Sequence, residues 1–190
     1  MAATGVCLLS DRNFRPGELV LFENPLFYAA CEEWTPGYPG SHTVAMVRKA
    51  LADPDLTKRL LEKHAAISHP IRYEGVELAS LAVRNPGTPV DRLYCILQRT
   101  QLSYLAGEGR VCVGYYERFA CANHSCSPNC DLDTTRAKTL VLRARCRIRP
   151  GDELTIAYMQ FDPFASTRLR REELWNNYGF MCECRLCSEI

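Results

Sequence analysis

The chain has 190 residues, of which 47% are hydrophobic, and its formal net charge is +1. This length predicts one domain, or one domain with an insertion, that buries a core of its own. Because charges of both signs balance and no long basic or acidic run occurs, the composition argues against a charged surface for nucleic acid or membranes. We therefore expect no direct nucleic-acid binding and no membrane association.

Cysteine is unusually frequent, with 11 residues in the chain. The N-terminus contains no apolar segment as long as a signal peptide or a membrane span. We therefore expect an intracellular location, in the nucleus, the cytoplasm or both, where thiols stay reduced or bind metal. Cys31 is ambiguous, whereas five cysteines lie in apolar patterns that predict small core residues: Cys7, Cys95, Cys112, Cys121 and Cys146.

Strands are predicted in the N-terminal part of the chain. Residues 6–9 form a short apolar run, and residues 18–22 and 26–30 are further candidates. The sequence Arg15-Pro16-Gly17 predicts a tight turn before the second strand, since proline fixes φ and glycine tolerates the left-handed conformation.

Residues 41–105 are predicted to form a helical insert in a β-rich chain. Asp53-Pro54 predicts the start of one helix, because proline is favoured in the first turn. Asp91 is expected to cap a second helix, whose apolar face extends to Tyr104. Two histidines of this region are interpreted as packing or surface residues rather than ligands: His64 and His69.

Strand signals return after the insert. Residues 140–148 alternate between apolar and mostly basic side chains, which predicts a strand with one buried face. This strand runs into an Arg-Pro-Gly-Asp turn at 149–152, and residues 153–158 are the next strand candidate. The order repeats the Arg-Pro-Gly-Glu turn at 15–18, as expected for a sheet of short hairpins.

A final helix is predicted around residues 168–176, and it leads to Tyr178-Gly179-Phe180 and a cysteine-rich tail. Its basic residues are followed at once by two glutamates. Mixed charges of this kind predict a solvent-exposed helix face for three arginines: Arg168, Arg170 and Arg171.

The tail predicts a metal site. Cys182, Cys184 and Cys187 place three thiols within six residues. A tetrahedral zinc site needs four ligands, so the fourth must come from elsewhere in the chain. Cys126, among polar turn-forming residues, is the first choice, and Cys130 is the alternative. Zinc bound in this way would tie the C-terminus to the segment around Cys126.

Several separate motifs resemble those of the SET-domain protein-lysine methyltransferases, and most closely those of the SET- and MYND-containing (SMYD-type) subgroup. Their order and spacing match the family, whereas each tetrapeptide alone would be weak. They are Asn123-His124-Ser125-Cys126 with Pro128-Asn129, Gly151-Asp152-Glu153-Leu154-Thr155-Ile156-Ala157-Tyr158, Tyr178-Gly179-Phe180, and the Cys-x-Cys-x-x-Cys tail. The resemblance extends to Gly5-Val6-Cys7-Leu8, where the family has Gly-x-Gly-Leu, and to Val113-Gly114-Tyr115-Tyr116.

The resemblance implies a mostly β fold with α-helices: a SET fold, in which short β-sheets surround a pseudoknot. Residues 123–129 and 153–158 would form the pseudoknot. Residues 1–180 would form the SET domain with its helical insert at about 41–105. Residues 181–190 would be a C-terminal post-SET zinc-binding tail.

The implied activity is methyl transfer from S-adenosylmethionine to lysines of a protein or peptide, with histones among the candidate substrates. Tyr158 matches the family's catalytic tyrosine, and Tyr178 would line the lysine channel. Asn123 would hold the methionyl part of the cofactor, His124 the adenine edge through backbone groups, and Phe180 the adenine ring. Further cofactor contacts are implied for Cys7, Leu8, Ala120 and Tyr158 itself. One structural zinc ion would be held by Cys126, Cys182, Cys184 and Cys187.

This chemistry fits the residue types. Methyl transfer from a sulfonium to a neutral amine is an in-line displacement, which needs alignment rather than a strong base at the reacting carbon. A tyrosine hydroxyl and nearby carbonyls place oxygens around the methyl group, and a narrow aromatic channel disfavours the charged form of lysine. The cofactor carries the reactive group, and the protein supplies orientation and electrostatics.

The chain departs from the family pattern at several points. Cys7 replaces a glycine that lets the backbone approach the cofactor, so we expect weaker cofactor binding. Counting back from Asn123 places Arg99, or Thr100 with a shift of one residue, where related enzymes carry an asparagine that contacts the cofactor. We expect neither a MYND zinc module, since only Cys31 and Cys95 lie between residues 30 and 104, nor the helical-repeat domain of the related enzymes.

Two functions remain open at this point. The first is a lysine methyltransferase in which the apolar side chain of Ile156 cannot hold a water molecule, which predicts the addition of more than one methyl group. The alternative is a catalytically weak or inactive SET module that acts as a protein-interaction domain, which the departures at Cys7 and Arg99 favour. We expect a monomer.

Overall fold

The computed structural model describes residues 5–30, 41–67, 76–85, 87–105, 111–133, 138–162 and 164–188. Cys31 and His69 lie outside these residues. The strands are β1 (Leu19–Glu23), β2 (Phe27–Ala29), β3 (Gln101–Leu105), β4 (Val111–Tyr115), β5 (Asn123–His124), β6 (Cys130–Asp133), β7 (Leu140–Ala144) and β8 (Thr155–Ile156). The helices are α1 (Ser41–Leu51), α2 (Pro54–Lys63), α3 (Val76–Arg84), α4 (Val90–Thr100), α5 (Thr167–Tyr178) and α6 (Arg185–Ser188), with a 3-10 helix at Phe119–Cys121.

The strands form three small sheets. One has the order β1-β7-β6 and one the order β2-β4-β3, and every neighbouring pair in them is antiparallel. The third consists of β5 and β8, which pair in parallel. The expected combination of short sheets with helices is therefore present.

Two apolar cores lie on either side of the end of β4. Tyr115, the last residue of β4, is buried with side chains of α1, α2 and α4. Tyr116, the next residue, is buried with Leu21, Leu142 and other side chains of the β1-β7-β6 sheet. Consecutive residues of a strand point to opposite faces. The four helices between residues 41 and 100 therefore have a core of their own, joined to the sheet core through this strand end.

Of the two predicted helix starts, the one at Asp53 is confirmed and the one at Asp91 is wrong. Asp53 caps α2 as expected, because its Oδ1 accepts the N–H of Leu56 at 3.0 Å. Asp91 does not cap α4, which begins at Val90 after Pro89, so Asp91 lies in the first turn. The apolar face of this helix was expected to extend to Tyr104. Tyr104 lies instead in β3, opposite Cys112. Pairing with β4 gives residues 101–105 their extended conformation. The helical period of the sequence contains no information about such long-range pairing.

The two Arg-Pro-Gly-acid turns share one geometry. In the first, the N–H of Glu18 donates to the carbonyl of Arg15 at 3.0 Å, and the N–H of Arg15 donates to the Glu18 carboxylate at 2.8 Å. The turn at 149–152 repeats both bonds, at 3.1 and 2.7 Å. Gly17 and Gly151 both have φ of 84°. The repeated motif is therefore a repeated turn.

The strand predictions hold in their centres and fail at some ends. β7 buries Leu140, Leu142 and Ala144, the apolar face predicted from the alternation. Ile148 lies beyond β7 in an isolated bridge with Phe14. Residues 6–9 contribute only the bridge from Leu9 to Glu153. Within 153–158, only Thr155–Ile156 forms a strand, because this segment pairs with the equally short β5.

The cysteines expected in the core fall into two groups. Cys95, Cys112 and Cys121 are buried. Cys112 is disulfide-bonded, which contradicts the expectation that it is a reduced thiol; the other described cysteines are free. Cys7 and Cys146 are exposed, so their prediction as core residues is wrong. Both lie outside the strands, where an apolar neighbour in sequence does not indicate which face is buried.

His64 is fully buried beside α2, where its Nε2 lies 2.9 Å from the hydroxyl of Tyr115. Its interpretation as a packing histidine is confirmed. In the part of the chain that the structure describes, no helix is both long and apolar enough to cross a bilayer.

Candidate functional site

Two short strands form the centre of the candidate site. Asn123 lies opposite Thr155 and His124 opposite Ile156 in the parallel β5–β8 pair. The N–H of Ser125 continues the ladder to the carbonyl of Ile156 at 3.0 Å. Parallel strands require a crossover connection, which here contains β6, β7 and the turn at 149–152. The two segments expected to form the pseudoknot are therefore adjacent.

Asparagine side chains hold this crossing together. Asn129 accepts the N–H of Thr155 at 2.8 Å and donates to the carbonyl of Glu153 at 2.8 Å. Asn123 donates to the Glu153 carboxylate at 2.6 Å and to the carbonyl of Val6 at 2.9 Å. Both Asn129 and Glu153 lie in the segments expected to form the pseudoknot, but no role was predicted for either side chain. Their position in the motifs was the available signal.

The His124 ring connects the crossing to two neighbours. Its Nδ1 accepts the backbone N–H of Tyr158 at 3.1 Å, so the ring proton resides on Nε2 when the ring is neutral. Nε2 lies 3.2 Å from Sγ of Cys126, to which it then donates. Burial lowers the pKa of His124 to about 4, which keeps the ring neutral at physiological pH.

Aromatic rings predicted as site residues lie together around Tyr158. The ring centroid of Tyr158 is 4.9 Å from that of Tyr178, 5.4 Å from that of His124 and 6.3 Å from that of Phe180. The Tyr158 hydroxyl donates to the carbonyl of Ala122 at 2.9 Å. The Tyr178 hydroxyl donates to the carbonyl of Tyr158 at 3.2 Å. Burial raises the pKa of both tyrosines, so neither hydroxyl is a base at neutral pH.

A cavity of about 140 Å³ adjoins this aromatic group. Tyr158, Tyr178 and Ala120 line it, and so does the buried Ile156. The cavity wall also includes Arg99, Thr100, Gln101, Leu102, Phe119, Ala122, Leu132 and Ala157. Two residues were candidates for the position at which related enzymes carry a cofactor-contacting asparagine. Both line this cavity: Arg99 and Thr100. Gln101 and Leu132 were missed, and no motif in the sequence indicates them.

A second cavity, of about 490 Å³, lies at the other predicted cofactor residues. Asn123, His124 and Phe180 line it together with two of the tail cysteines, Cys182 and Cys184. Its remaining lining residues are Ser125, Glu153, Thr155, Met181, Glu183 and Arg185. Its volume falls in the range of small-molecule and cofactor sites.

Cys7 and Leu8 line neither cavity. Cys7 is exposed, and Leu8 packs against the sheet core and accepts the N–H of Leu154 at 2.7 Å. The N-terminal segment nevertheless meets the site, because the carbonyl of Val6 accepts the Asn123 side chain.

Four cysteine sulfurs converge at the tail. The sulfurs of Cys126, Cys182, Cys184 and Cys187 all lie within 4.8 Å of one another. Cys126 Sγ is 3.8 Å from that of Cys182 and 3.6 Å from that of Cys187. A tetrahedral zinc with Zn–S bonds of about 2.3 Å requires sulfurs about 3.8 Å apart. The donor set and its spacing therefore fit a zinc ion.

Cys130, the alternative fourth ligand, is not in this group. It is buried in β6 opposite Ala144. Burial raises the pKa of Cys184, but hydrogen bonds from the backbone of Cys126 and Cys187 and from the thiols of Cys182 and Cys187 together outweigh that effect and lower the pKa to about 6. A thiolate is the form that binds metal.

The arginines of α5 do not form the solvent-exposed face that the sequence predicted. Arg168 is exposed, but Arg170 is only 7% exposed and points toward the cysteine tail. Arg171 donates to the carbonyls of Cys182 and Cys187 at 2.9 and 3.3 Å. The prediction from the mixed charges was wrong because backbone carbonyls of the tail accept hydrogen bonds from these arginines. The sequence alone does not show that the tail lies beside α5.

Comparisons with known proteins agree with the motifs. A sequence profile of the SET domain matches residues 5–159. The chain is 27% identical over 207 aligned positions to the histone-lysine N-methyltransferase SET5 of Candida glabrata, covering 94% of this chain and 38% of that protein. It is 40% identical over 78 residues to the histone-lysine N-methyltransferase SMYD3 of Mus musculus, covering 41% of this chain and 18% of that protein. The chain thus spans well under half the length of both relatives.

Two solved structures share the fold. The SET domain of LSMT bound to lysine and AdoHcy superposes with a TM-score of 0.55 at 14% identity, covering 96% of this chain and 53% of that chain. Rubisco LSMT bound to sinefungin and monomethyllysine gives the same TM-score and identity, covering 93% of this chain and 49% of that one. The expected SET fold is confirmed, and the clustered tail cysteines fit its post-SET zinc site. Profile, relatives and fold agree: this chain belongs to the SET-domain family.

Proposed function

We propose that this protein is an S-adenosylmethionine-dependent protein-lysine N-methyltransferase. One arrangement carries the proposal. Tyr158 and Tyr178 line the smaller cavity, His124 and Phe180 line the larger one, and the other three ring centroids lie within 6.3 Å of that of Tyr158. The aromatic group therefore contributes to both cavities, as a channel between cofactor and lysine requires.

The larger cavity is the proposed cofactor site. S-adenosylmethionine supplies a methyl group on a sulfonium when it is bound. Asn123 and the backbone of His124 would bind its methionyl and adenine parts, and Phe180 would pack on the adenine ring. The fixed hydrogen bonds of Asn123 to Val6 and Glu153 keep that side chain oriented.

The smaller cavity is the proposed lysine channel. Its tyrosine rings hold the apolar part of a lysine side chain, and apolar walls disfavour the ammonium form. Because burial raises the pKa of Tyr158 and Tyr178, both stay protonated and act through oxygen lone pairs and position, not as bases. The lysine proton would therefore leave through water. Buried Ile156 offers no hydrogen bond to a water molecule, so we expect more than one methyl group to be added.

A zinc ion on Cys126 and the three tail cysteines would be structural. Cys182 and Cys184 line the larger cavity, and Cys182 follows Phe180 by two residues. Metal bound there would hold Phe180 against the cofactor without touching the transferred methyl group.

The names of the relatives support a choice of first substrates. SET5 and SMYD3 carry the name histone-lysine N-methyltransferase, so histone lysines are the first substrates to test, with other protein lysines next. An intracellular location in the nucleus or cytoplasm and a monomeric state remain predictions.

One observation favours a second function, a catalytically weak SET module that binds a protein partner. Arg99 lines the proposed lysine channel, and its Nε and one terminal nitrogen are buried without a hydrogen-bond partner. A cation there lowers the affinity of the channel for lysine, which arrives from water as an ammonium group.

Calorimetry with S-adenosylmethionine and zinc-loaded protein separates the two functions. The methyltransferase proposal expects stoichiometric binding with a dissociation constant in the micromolar range. If folded, zinc-loaded protein shows no binding at high micromolar cofactor, the interaction module replaces the methyltransferase as the proposed function.

A further inference from the structure

Arg170 of α5 is a buried cation with an unusual set of partners. Its terminal nitrogens donate to the hydroxyl of Thr167 at 3.1 Å and to the carbonyls of Ala165 and Leu186, the latter at 3.3 Å. The same Nη2 lies 3.6 Å from Sγ of Cys187. Only 7% of the residue is exposed.

No carboxylate neutralises this arginine within the described residues. Ion pairs between described residues are formed by Arg12, Lys58, Lys63 and Arg145, among others, and Arg170 forms none with a described carboxylate. The Nε of Arg170 is also buried without a hydrogen-bond partner. Removing an unpaired charge from water is costly, so buried charges are normally paired. A negative group near Arg170 would compensate this charge.

The nearest candidate for that negative group is the cysteine cluster. Four neutral thiols carry no charge and would leave Arg170 uncompensated. Four thiolates around one divalent cation carry a net charge of −2. The guanidinium beside Cys187 would then meet an anionic cluster, and N–H donors toward ligand sulfurs are the usual partners of such sites.

We propose that Arg170 is a positioning residue for the metal: it balances the charge of the zinc tetrathiolate and fixes α5 to it. This inference rests on the proposed zinc site. Arg171 supports the same contact through the carbonyls of Cys182 and Cys187. α5 ends at Tyr178, which lines the smaller cavity. The contact of α5 with the metal site would therefore also link metal binding to the position of Tyr178 in the proposed lysine channel.

Zinc retention in three variants tests this role. Arg170→Gln keeps a polar side chain without the charge, Arg170→Lys keeps the charge without the planar fork, and Arg168→Gln is the matched control on the exposed face of the same helix. Zinc-loaded proteins are titrated with a chromophoric chelator, and circular dichroism checks that each is folded. We expect Arg170→Gln to lose at least about tenfold in zinc affinity, Arg170→Lys to stay within about threefold of the wild type, and Arg168→Gln to be unchanged.

The outcomes separate the inference from the site on which it rests. If the wild type binds no zinc, the proposed zinc site itself fails. If the wild type binds zinc and Arg170→Gln retains it equally well, only the role of Arg170 is overturned. Equal losses in the Gln and Lys variants would mean packing rather than charge and would also overturn it. Should Arg170→Gln fail to fold, a tenfold loss in Arg170→Lys overturns the charge role on its own.

Discussion

His124 accepts the backbone N–H of Tyr158 through Nδ1 at 3.1 Å. This bond fixes the ring so that Nε2 points to Cys126 Sγ, 3.2 Å away. The residue that holds the backbone of the proposed catalytic tyrosine is thus also in contact with a proposed zinc ligand. The proposed metal site and the proposed catalytic site are thus separated by one imidazole ring, so we expect the tail to affect the proposed activity.

Removal of zinc is expected to abolish cofactor binding while leaving most of the fold. Cys182 and Cys184 line the larger cavity, whereas the β1-β7-β6 sheet core involves none of the four clustered thiols. After chelation, calorimetry should detect no binding of S-adenosylmethionine, and the strand signal in circular dichroism should persist. Added zinc should restore binding. Normal cofactor binding by verified zinc-free protein would break the proposed link.

Glu23 is expected to support the segment that leads into the site. Its two carboxylate oxygens accept the N–H groups of Arg118 and Phe119, each at 2.9 Å. Glu23→Ala leaves two donors unpaired and should lower the free energy of unfolding by about 1–3 kcal/mol in urea titrations. Glu18→Ala is the control, because Glu18 accepts a single N–H in an exposed turn. Equal losses in the two variants would contradict this assignment.

The protein should become less stable as the pH falls, because His64 is buried. Burial, helped by Lys63, lowers its pKa from 6.5 to about 4. Below pH 6.5 the unfolded chain therefore binds a proton that the folded chain refuses, and stability is lost as pH falls from 6.5 toward 4. Between pH 7 and pH 5 the loss from this residue is about 2 kcal/mol.

The measurement is the difference between wild type and His64→Gln in urea unfolding at pH 7 and pH 5. His124 shifts in the same direction, since burial lowers its pKa to about 4, but that contribution is common to both proteins and cancels. The variant should be less sensitive to pH than the wild type. Identical pH dependence would show that His64 does not carry this effect.

The number of methyl groups transferred to one lysine tests the prediction made from Ile156. Its buried apolar side chain lines the smaller cavity, where a polar side chain would retain water. Mass spectrometry of a lysine peptide that serves as substrate should show dimethyl or trimethyl product at long times. Monomethyl product alone, with cofactor still in excess, would show that this prediction is wrong.

Local sequence signals identified much of this structure. Asp53-Pro54 and the two Arg-Pro-Gly turns depend on a few consecutive residues, and both appear as predicted. The choice of Cys126 over Cys130 also holds for the cluster, because polar turn residues surround the former and a strand buries the latter.

The failures have a common physical origin in distant contacts. Tyr104 continues a helical pattern but pairs with β4, and Arg170 stands in a mixed-charge run but lies under the cysteine tail. Gln101 and Leu132 reach the smaller cavity from separate elements, with no shared motif. Sequence periodicity reports which face of an element is apolar, but it does not report what will cover that face.

The most direct test of the central claim is transfer of a radiolabelled methyl group from S-adenosylmethionine to histones and to a fractionated lysate. Zinc-loaded wild type should label lysines, and Tyr158→Phe should lose at least about 100-fold in rate, since the hydroxyl held by Ala122 is removed from the reacting centre. Tyr116→Phe, which removes a hydroxyl bonded to the carbonyl of Lys138 away from both cavities, should stay active. Absence of labelling by folded wild type that binds the cofactor, or full activity in Tyr158→Phe, would contradict the proposed mechanism.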